Sequence, residues 1–224
     1  FIFLFASFEN PYKPQLLREC MKSHLPFLGT GQAGPTKSRN HTGILLSHGA
    51  ESILIDCGEG IQRQFRIAGI NPCNLTRLFI THWHGDHILG IPGLFQTLVM
   101  NNYNKILQIY GPENTDRYIN ELLRLFAIRK ELKLKIHEIQ EGIFLDEKDF
   151  YVETLPMNHT VPCLAYSFVE KEKRRIHKEK LKKLNIPSSP LLKKLQDGED
   201  ISIAGRQIKA RDFTYMKNGK RISF

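Results

Sequence analysis

Cysteine is scarce in this chain. Four occur among 224 residues, Cys20, Cys57, Cys73 and Cys163, with no C-x-x-C pair among them. That excludes a disulfide framework and a thiolate zinc site, and reads as the reduced thiols of a cytoplasmic protein. Long apolar runs are missing as well. No stretch approaches the roughly 18 residues of a membrane helix. The longest, residues 1–8, is cut by Ser7 and lacks the basic leading segment of a secretory signal. Glycine and proline, 16 and 11 in number, are too few for a collagen-like or low-complexity chain. Acidic residues fall short of basic ones, 23 against 32, which leaves a formal charge of +9 and a pI near 9.4. A surplus of that size favours polyanionic partners, nucleic acid or an anionic membrane. What remains is ordinary for a globular chain: 41% hydrophobic, 25% charged, and long enough for one domain with a sizeable core or two small ones.

Neither end reads as a natural boundary. The first methionine is Met21, and residues 1–20 contain Pro11 and Pro14 with no sustained period of either kind. They are upstream sequence outside the fold or a native N-terminal extension, and both readings stand. Residues 220–224, Lys-Arg-Ile-Ser-Phe, look like a strand still running, so the chain is expected to be truncated there.

Between the ends, short β-like runs alternate with helical stretches, which predicts layered α and β structure. Residues 43–47 and 52–56 read as a hairpin about His48-Gly49-Ala50. Residues 59–68 predict a helix with Ile61, Phe65 and Ala68 on one face and Gly69 as its stop. Strands are expected over 77–81, 106–110, 134–139, 150–155 and 164–169. A largely apolar helix is expected over 88–100. Another follows Gly111-Pro112, with Ile119, Leu122, Leu123 and Phe126 at core spacing.

One segment breaks the pattern. Residues 170–194 hold ten Lys or Arg against three acids, with Pro187 and Pro190 interrupting any single helix. Two short helices, then a small hairpin of 201–203 and 207–209, fit the segment. It is expected to project with little core of its own. Most charge runs are simply solvated surface. Here the surplus of the whole chain is concentrated in one place, which favours contact with nucleic acid.

The strongest signal is Thr81-His82-Trp83-His84-Gly85-Asp86-His87, directly after a predicted strand. His82 and His84, two apart in extended backbone, point to the same side and can share an ion. Gly85 lets the chain turn, so Asp86 and His87 can face a second ion. Imidazoles with one carboxylate suit zinc best, ahead of manganese, iron or cobalt. Two such ions, about 3.5–4 Å apart, can hold a hydroxide as nucleophile against a phosphodiester. His24, His48, His137 and His177 have no company that singles them out. His159, in Met157-Asn158-His159-Thr160-Val161-Pro162, follows a predicted strand where a loop can return it to the metal face; the sequence leaves that open.

These residues carry a resemblance. Phe27-Leu28-Gly29-Thr30-Gly31, Gly34-Pro35-Thr36-Lys37-Ser38-Arg39-Asn40, Asp56-Cys57-Gly58-Glu59-Gly60-Ile61-Gln62-Arg63-Gln64, the histidine cluster through Leu94, and His159-Thr160-Val161-Pro162 resemble ribonuclease Z. That is the tRNA 3′-processing endoribonuclease of the metallo-β-lactamase superfamily. The resemblance covers residues 21–224 in order. It implies an αββα sandwich, here its N-terminal half plus the start of the second. The domain would be incomplete, with residues 170–215 as a flexible tRNA-binding arm. It also implies a cytoplasmic homodimer acting on precursor tRNA, with two Zn2+ per active site in the complete protein. On that reading His82, His84 and His159 ligate the first zinc and Asp86 and His87 the second, while Asp86 also serves as catalytic general base. Lys37 and Arg39 would lie near the tRNA acceptor end, unless they are ordinary surface cations. Lys171, Lys173, Arg174, Arg175, Lys193 and Lys194 are the arm's candidate RNA contacts. The bridging aspartate, a proton-transfer histidine and a last histidine ligand of the family pattern lie beyond Phe224. The chain alone is therefore expected to bind zinc weakly and to cleave little.

Competing classes are another hydrolase of the same fold, a phosphodiesterase or glyoxalase II-like thioesterase, a di-iron redox protein, and an RNA-binding fragment without chemistry. The thioesterase gives no reason for the basic arm. The di-iron site usually has a carboxylate where His84 stands.

Overall fold

Ile53-Leu54-Ile55 and Leu78-Phe79-Ile80 are short apolar runs without alternation, and such runs belong in a sheet covered on both faces. The computed structural model describes residues 23–128, 132–203 and 205–224 and buries both runs. The expectation for residues 1–20 falls outside the described residues.

The chain begins with β1 (Phe27–Gly29), β2 (Gly43–His48) and β3 (Glu51–Ile55). These three pair antiparallel, and Gly49, at φ 59°, supplies the left-handed first position of the two-residue turn between β2 and β3. Then come α1 (Ile61–Ile67), β4 (Arg77–Phe79), α2 (Gly85–Ile88), α3 (Ile91–Met100), β5 (Ile106–Gly111), α4 (Thr115–Leu125) and β6 (Lys133–Glu138). One six-stranded sheet runs in the order β1–β2–β3–β4–β5–β6, with β3 to β6 parallel.

Three helical expectations are corrected. Ala68 is exposed and caps α1; the buried face is Ile61 and Phe65 alone. The Gly69 N–H donates to Arg66 O and the Ile70 N–H to Phe65 O, so Gly69 stops the helix as expected, at φ 66°. The single helix over 88–100 is two helices. Gly90 N–H donates to Cys57 O at 2.9 Å, and a Cβ on Gly90 would lie 2.0 Å from Gly58 O. The backbone is therefore clamped at Gly90, and α3 restarts beyond it with Pro92 in its first turn. Phe126 lies past the end of α4 and is exposed, because the helix closes at Leu125.

The rest of the chain forms β7 (Gly142–Asp146), which the sequence did not announce, β8 (Phe150–Met157) and β9 (Cys163–Glu170). It continues with β10 (Lys173–Ile176), α5 (Lys178–Lys183), α6 (Leu192–Asp197), β11 (Ile201–Ile203) and β12 (Arg206–Ile208). It ends with α7 (Ala210–Phe213), β13 (Thr214–Lys217) and β14 (Arg221–Ser223). A second sheet runs β14–β9–β8–β7, and β10–β13 and β11–β12 form two-stranded ribbons.

Contacts divide the described residues into two compact units: those within 23–142 with 154–166 and 224, and those within 143–153 and 167–223. The first has a core of Leu45, Leu54, Leu78, Phe65, Leu94, Phe95 and Ile109 with their neighbours. Full burial of each such side chain contributes about 1.5–3 kcal/mol. In the second, Leu195, Ile201, Ile208 and Ala210 are buried together. This cluster is small and its buried members all follow residue 194; it forms because α6 and the β11–β12 hairpin fold back on each other. Among the described residues no helix is long and apolar enough to cross a membrane.

Candidate metal centre

All the centre's residues belong to the first unit, and its parallel sheet explains their position. Strand β4 ends at Phe79; the Ile80 N–H still donates to Tyr110 O, at 2.8 Å, and beyond it the chain leaves the sheet as a turn. His82 and His84 lie in that turn, and Asp86 and His87 lie in α2. His159 is brought back by the start of β9. Leu164 N–H donates to Thr81 O at 2.9 Å, and the Tyr166 hydroxyl donates to Ile80 O at 2.7 Å.

Donor atoms of His82, His84 and His159 all lie within 4.8 Å of one another. Their ring centroids are 4.8, 4.7 and 4.9 Å apart, nearly an equilateral triangle. His84 Nδ1 and His159 Nε2 are 3.1 Å apart. Zinc–nitrogen bonds of about 2.0–2.1 Å at tetrahedral angles put donors roughly 3.3 Å apart, so this donor set fits one zinc-sized ion. Asp86 Oδ2 lies 3.4 Å from His87 Nε2, a carboxylate and an imidazole side by side.

Asp56 governs the tautomers. It sits after β3 at φ 58°, is buried, and receives the Thr81 N–H at 2.8 Å. The Thr81 hydroxyl also donates to it, at 2.9 Å. With its proton committed there, Thr81 Oγ1 accepts from His82 Nδ1–H at 2.9 Å, which leaves the Nε2 lone pair of His82 for a metal. His87 Nδ1–H donates directly to Asp56 Oδ2 at 2.6 Å, so Nε2 of His87 is free in the same way.

The two histidines are pushed in opposite directions. Burial, then the neighbouring His87, lowers His82 to about 4, which keeps it neutral and ready to ligate. Burial also works against a charged His87, but the hydrogen bond and charge of Asp56, helped by Asp86, outweigh it and raise its pKa.

A cavity of about 630 Å³ lies over these groups, lined by His82, His84, Asp86, His87 and His159 together with Gln32 and His41. Sequence reasoning overlooked Asp56 and His41. Asp56 falls within a quoted motif but 31 positions from His87, and His41 is one histidine without a partner nearby in sequence. Of the discounted histidines, His48 bonds Ser23, His137 stacks on Tyr110 and His177 packs against Tyr215.

The candidate cations differ in their freedom. Lys37 and Arg39 are exposed in a tight turn closed by Thr36 N–H to Arg39 O. In the second unit Lys171 pairs with Asp146, Lys173 with Asp149 at 3.1 Å, and Arg174 donates to the Thr214 hydroxyl. Arg175 is half-buried in β10. Lys193 and Lys194, on α6, are exposed and have no ion pair among the described residues.

Comparison with known proteins adds three findings. A family profile described as anti-Pycsar protein Apyc1 matches residues 23–173. Curated proteins named ribonuclease Z are similar over most of the chain. That of Nanoarchaeum equitans is 42% identical, covering 88% of this chain and 62% of that protein. That of Methanocaldococcus jannaschii is 44% identical, covering 83% and 60%. The chain thus spans about three fifths of the length of these relatives. Among solved structures, human tRNase Z, short form, superposes with a TM-score of 0.60 at 29% identity, over 65% of this chain and 64% of that one. The metallo-β-lactamase fold protein YhfI of Bacillus subtilis gives 0.54 at 21% identity, over 64% and 56%, a likeness of fold alone.

Proposed function

The chain belongs to the family described as anti-Pycsar protein Apyc1, has the metallo-β-lactamase fold and is homologous to ribonuclease Z; from that premise we propose that the protein is a zinc-dependent endoribonuclease that removes the 3′ trailer from precursor tRNA. The observation that carries this reading is the near-equilateral triangle of His82, His84 and His159 beside Asp86 and His87. In this reading the three histidines hold one ion, and Asp86 with His87 holds a second. Zinc bound there supplies a Lewis acid for a phosphoryl oxygen and brings the pKa of water at the site down to about 7. Asp86 takes up a proton at its carboxylate. Asp56 keeps His82 and His87 aimed, the first through Thr81. Lys37, Arg39 and the cations of residues 170–194 hold RNA phosphates, and the cleaved tRNA ends in a 3′-hydroxyl. We place the protein in the cytoplasm as a homodimer; the free thiols of Cys57, Cys73 and Cys163 are consistent with a reducing compartment.

The test is cleavage of a precursor tRNA in zinc buffer, with the new ends identified. Trailer release leaving a tRNA 3′-hydroxyl supports the reading. Turnover of a thioester with no cut in RNA would overturn it. A second reading, hydrolysis of a small phosphodiester, is favoured by one observation: every residue lining the 630 Å³ cavity belongs to the first unit, so the basic segment is not needed to build it. Rapid turnover of bis(p-nitrophenyl) phosphate with intact precursor tRNA would select that reading.

A further inference from the structure

His41 is 4% exposed, lines the cavity over the histidine cluster, and has neither ring nitrogen hydrogen-bonded. The nearest carboxylate, of the exposed Glu59, stands 4.0 Å from Nδ1, beyond hydrogen-bond reach. A buried polar group without a partner is costly and calls for an explanation. The backbone around it is arranged to hold it there. A Cβ on Gly29 would meet His41 O at 1.8 Å, and one on Gly58 would meet His41 Cβ at 2.4 Å, so two glycines allow the close approach. On one side, Asn40 O accepts the Gly31 N–H at 2.7 Å and the Asn40 amide donates to Glu59 O at 2.6 Å. On the other, Thr42 O accepts the Gly58 N–H at 2.8 Å and its hydroxyl donates to Gly31 O. His41 also stands outside the donor cluster of His82, His84 and His159, so in this geometry it is not a ligand of their ion.

We infer that His41 is a substrate-binding residue whose ring N–H donates to a non-bridging oxygen of the bound phosphodiester. Both ring nitrogens are closed to solvent, so a phosphate oxygen that opens the cavity lining satisfies the unpaired ring, which then supplies a donor where negative charge builds during cleavage. The inference rests on the phosphodiesterase reading above and deepens it.

The experiment titrates inorganic phosphate into the zinc-supplemented protein by calorimetry, with zinc content measured on the same samples. His41→Ala should weaken phosphate about tenfold or more, the worth of one hydrogen bond to a charged group, with zinc content unchanged. His41→Gln, which keeps an N–H donor, should stay within about threefold. Unchanged phosphate affinity in His41→Ala overturns the inference and leaves the phosphodiesterase reading standing. Loss of zinc in His41→Ala, as for a ligand, overturns it too. If the wild-type protein takes zinc and binds no phosphate, both fall. Should the variants not fold, ring nitrogen NMR of the wild type decides: a phosphate-induced shift at His41 supports the inference, and none overturns it.

Discussion

The turn that carries His82 to His87 hangs from a sheet whose core cluster holds eighteen buried side chains; the cluster formed by α6 and the β11–β12 hairpin holds four. The difference matches two kinds of work. Metal ligation requires donor atoms held to within tenths of an ångström, and here each segment bearing a candidate ligand is anchored to buried backbone or to a buried carboxylate. Electrostatic contact with a nucleic acid requires reach and charge, and tolerates a lightly packed scaffold. On the proposed function, precision and charge are therefore housed apart in this chain. The comparison can be tested by damaging each region and asking what is lost.

The largest effect should come from the cluster itself. His84→Ala removes one of three converging donors. Because a catalytic ion contributes several kcal/mol of transition-state stabilisation, precursor cleavage should drop on the order of a thousandfold or more. RNA affinity should hold within about twofold. Rate and gel-shift measurements on the same preparation separate the two, and an equal loss of both would break the division of labour.

Core substitutions come next. Phe65→Ala, at a fully buried position of α1, should cost about 3–5 kcal/mol and take zinc binding down with it. Leu195→Ala should cost about 2–5 kcal/mol in the second unit and leave zinc binding in place. Thermal melts followed by zinc content check both. Zinc lost equally in the two variants would mean that the units fold as one.

A smaller effect is expected at Asp56, which orients two histidines, His87 directly and His82 through Thr81. Asp56→Asn should weaken zinc about 10–100-fold, as other partners of ligating histidines do. NMR of the metal-free chain gives a second readout. His87 should titrate above its ordinary 6.5 and His82 at about 4; Asp56→Asn should bring His87 down, because burial then acts with less opposition. The raised His87 stabilises the fold below pH 6.5, and that contribution is lost as pH rises through its folded pKa. The lowered His82 acts in the other direction, costing stability as pH falls from 6.5 toward 4. A His87 titration unmoved by Asp56→Asn would assign the orientation to another group.

Much of this was legible in the sequence. Four donors within six positions after an apolar strand announced the cluster, and Gly69 stopped α1 as expected. The rest depends on tertiary contact. Asp56 reaches His87 across 31 positions by way of a left-handed residue no pattern marks. The break in the 88–100 helix is imposed by Cys57 and Gly58, which touch Gly90 only once the chain has folded. Placement of His159 needed β9 to hydrogen-bond the end of β4, and the sequence alone left that open.

The smallest effect separates cations that charge counting treats as equal. Lys171 and Lys173 already face Asp146 and Asp149, so an RNA phosphate must displace an internal partner to gain either one. Lys193 and Lys194 have no such partner among the described residues and should release counterions outright on binding RNA. Replacing either by Ala should lower the slope of log affinity against log salt by about 0.7–0.9, the share of one phosphate contact. Lys171→Ala or Lys173→Ala should lower it by less, since part of the charge is already neutralised. Gel shifts of precursor tRNA across a salt series measure both slopes. Equal decrements at all four positions would mean that the ion pairs open before RNA arrives; then the acidic partners rank nothing, and net charge alone decides the grip.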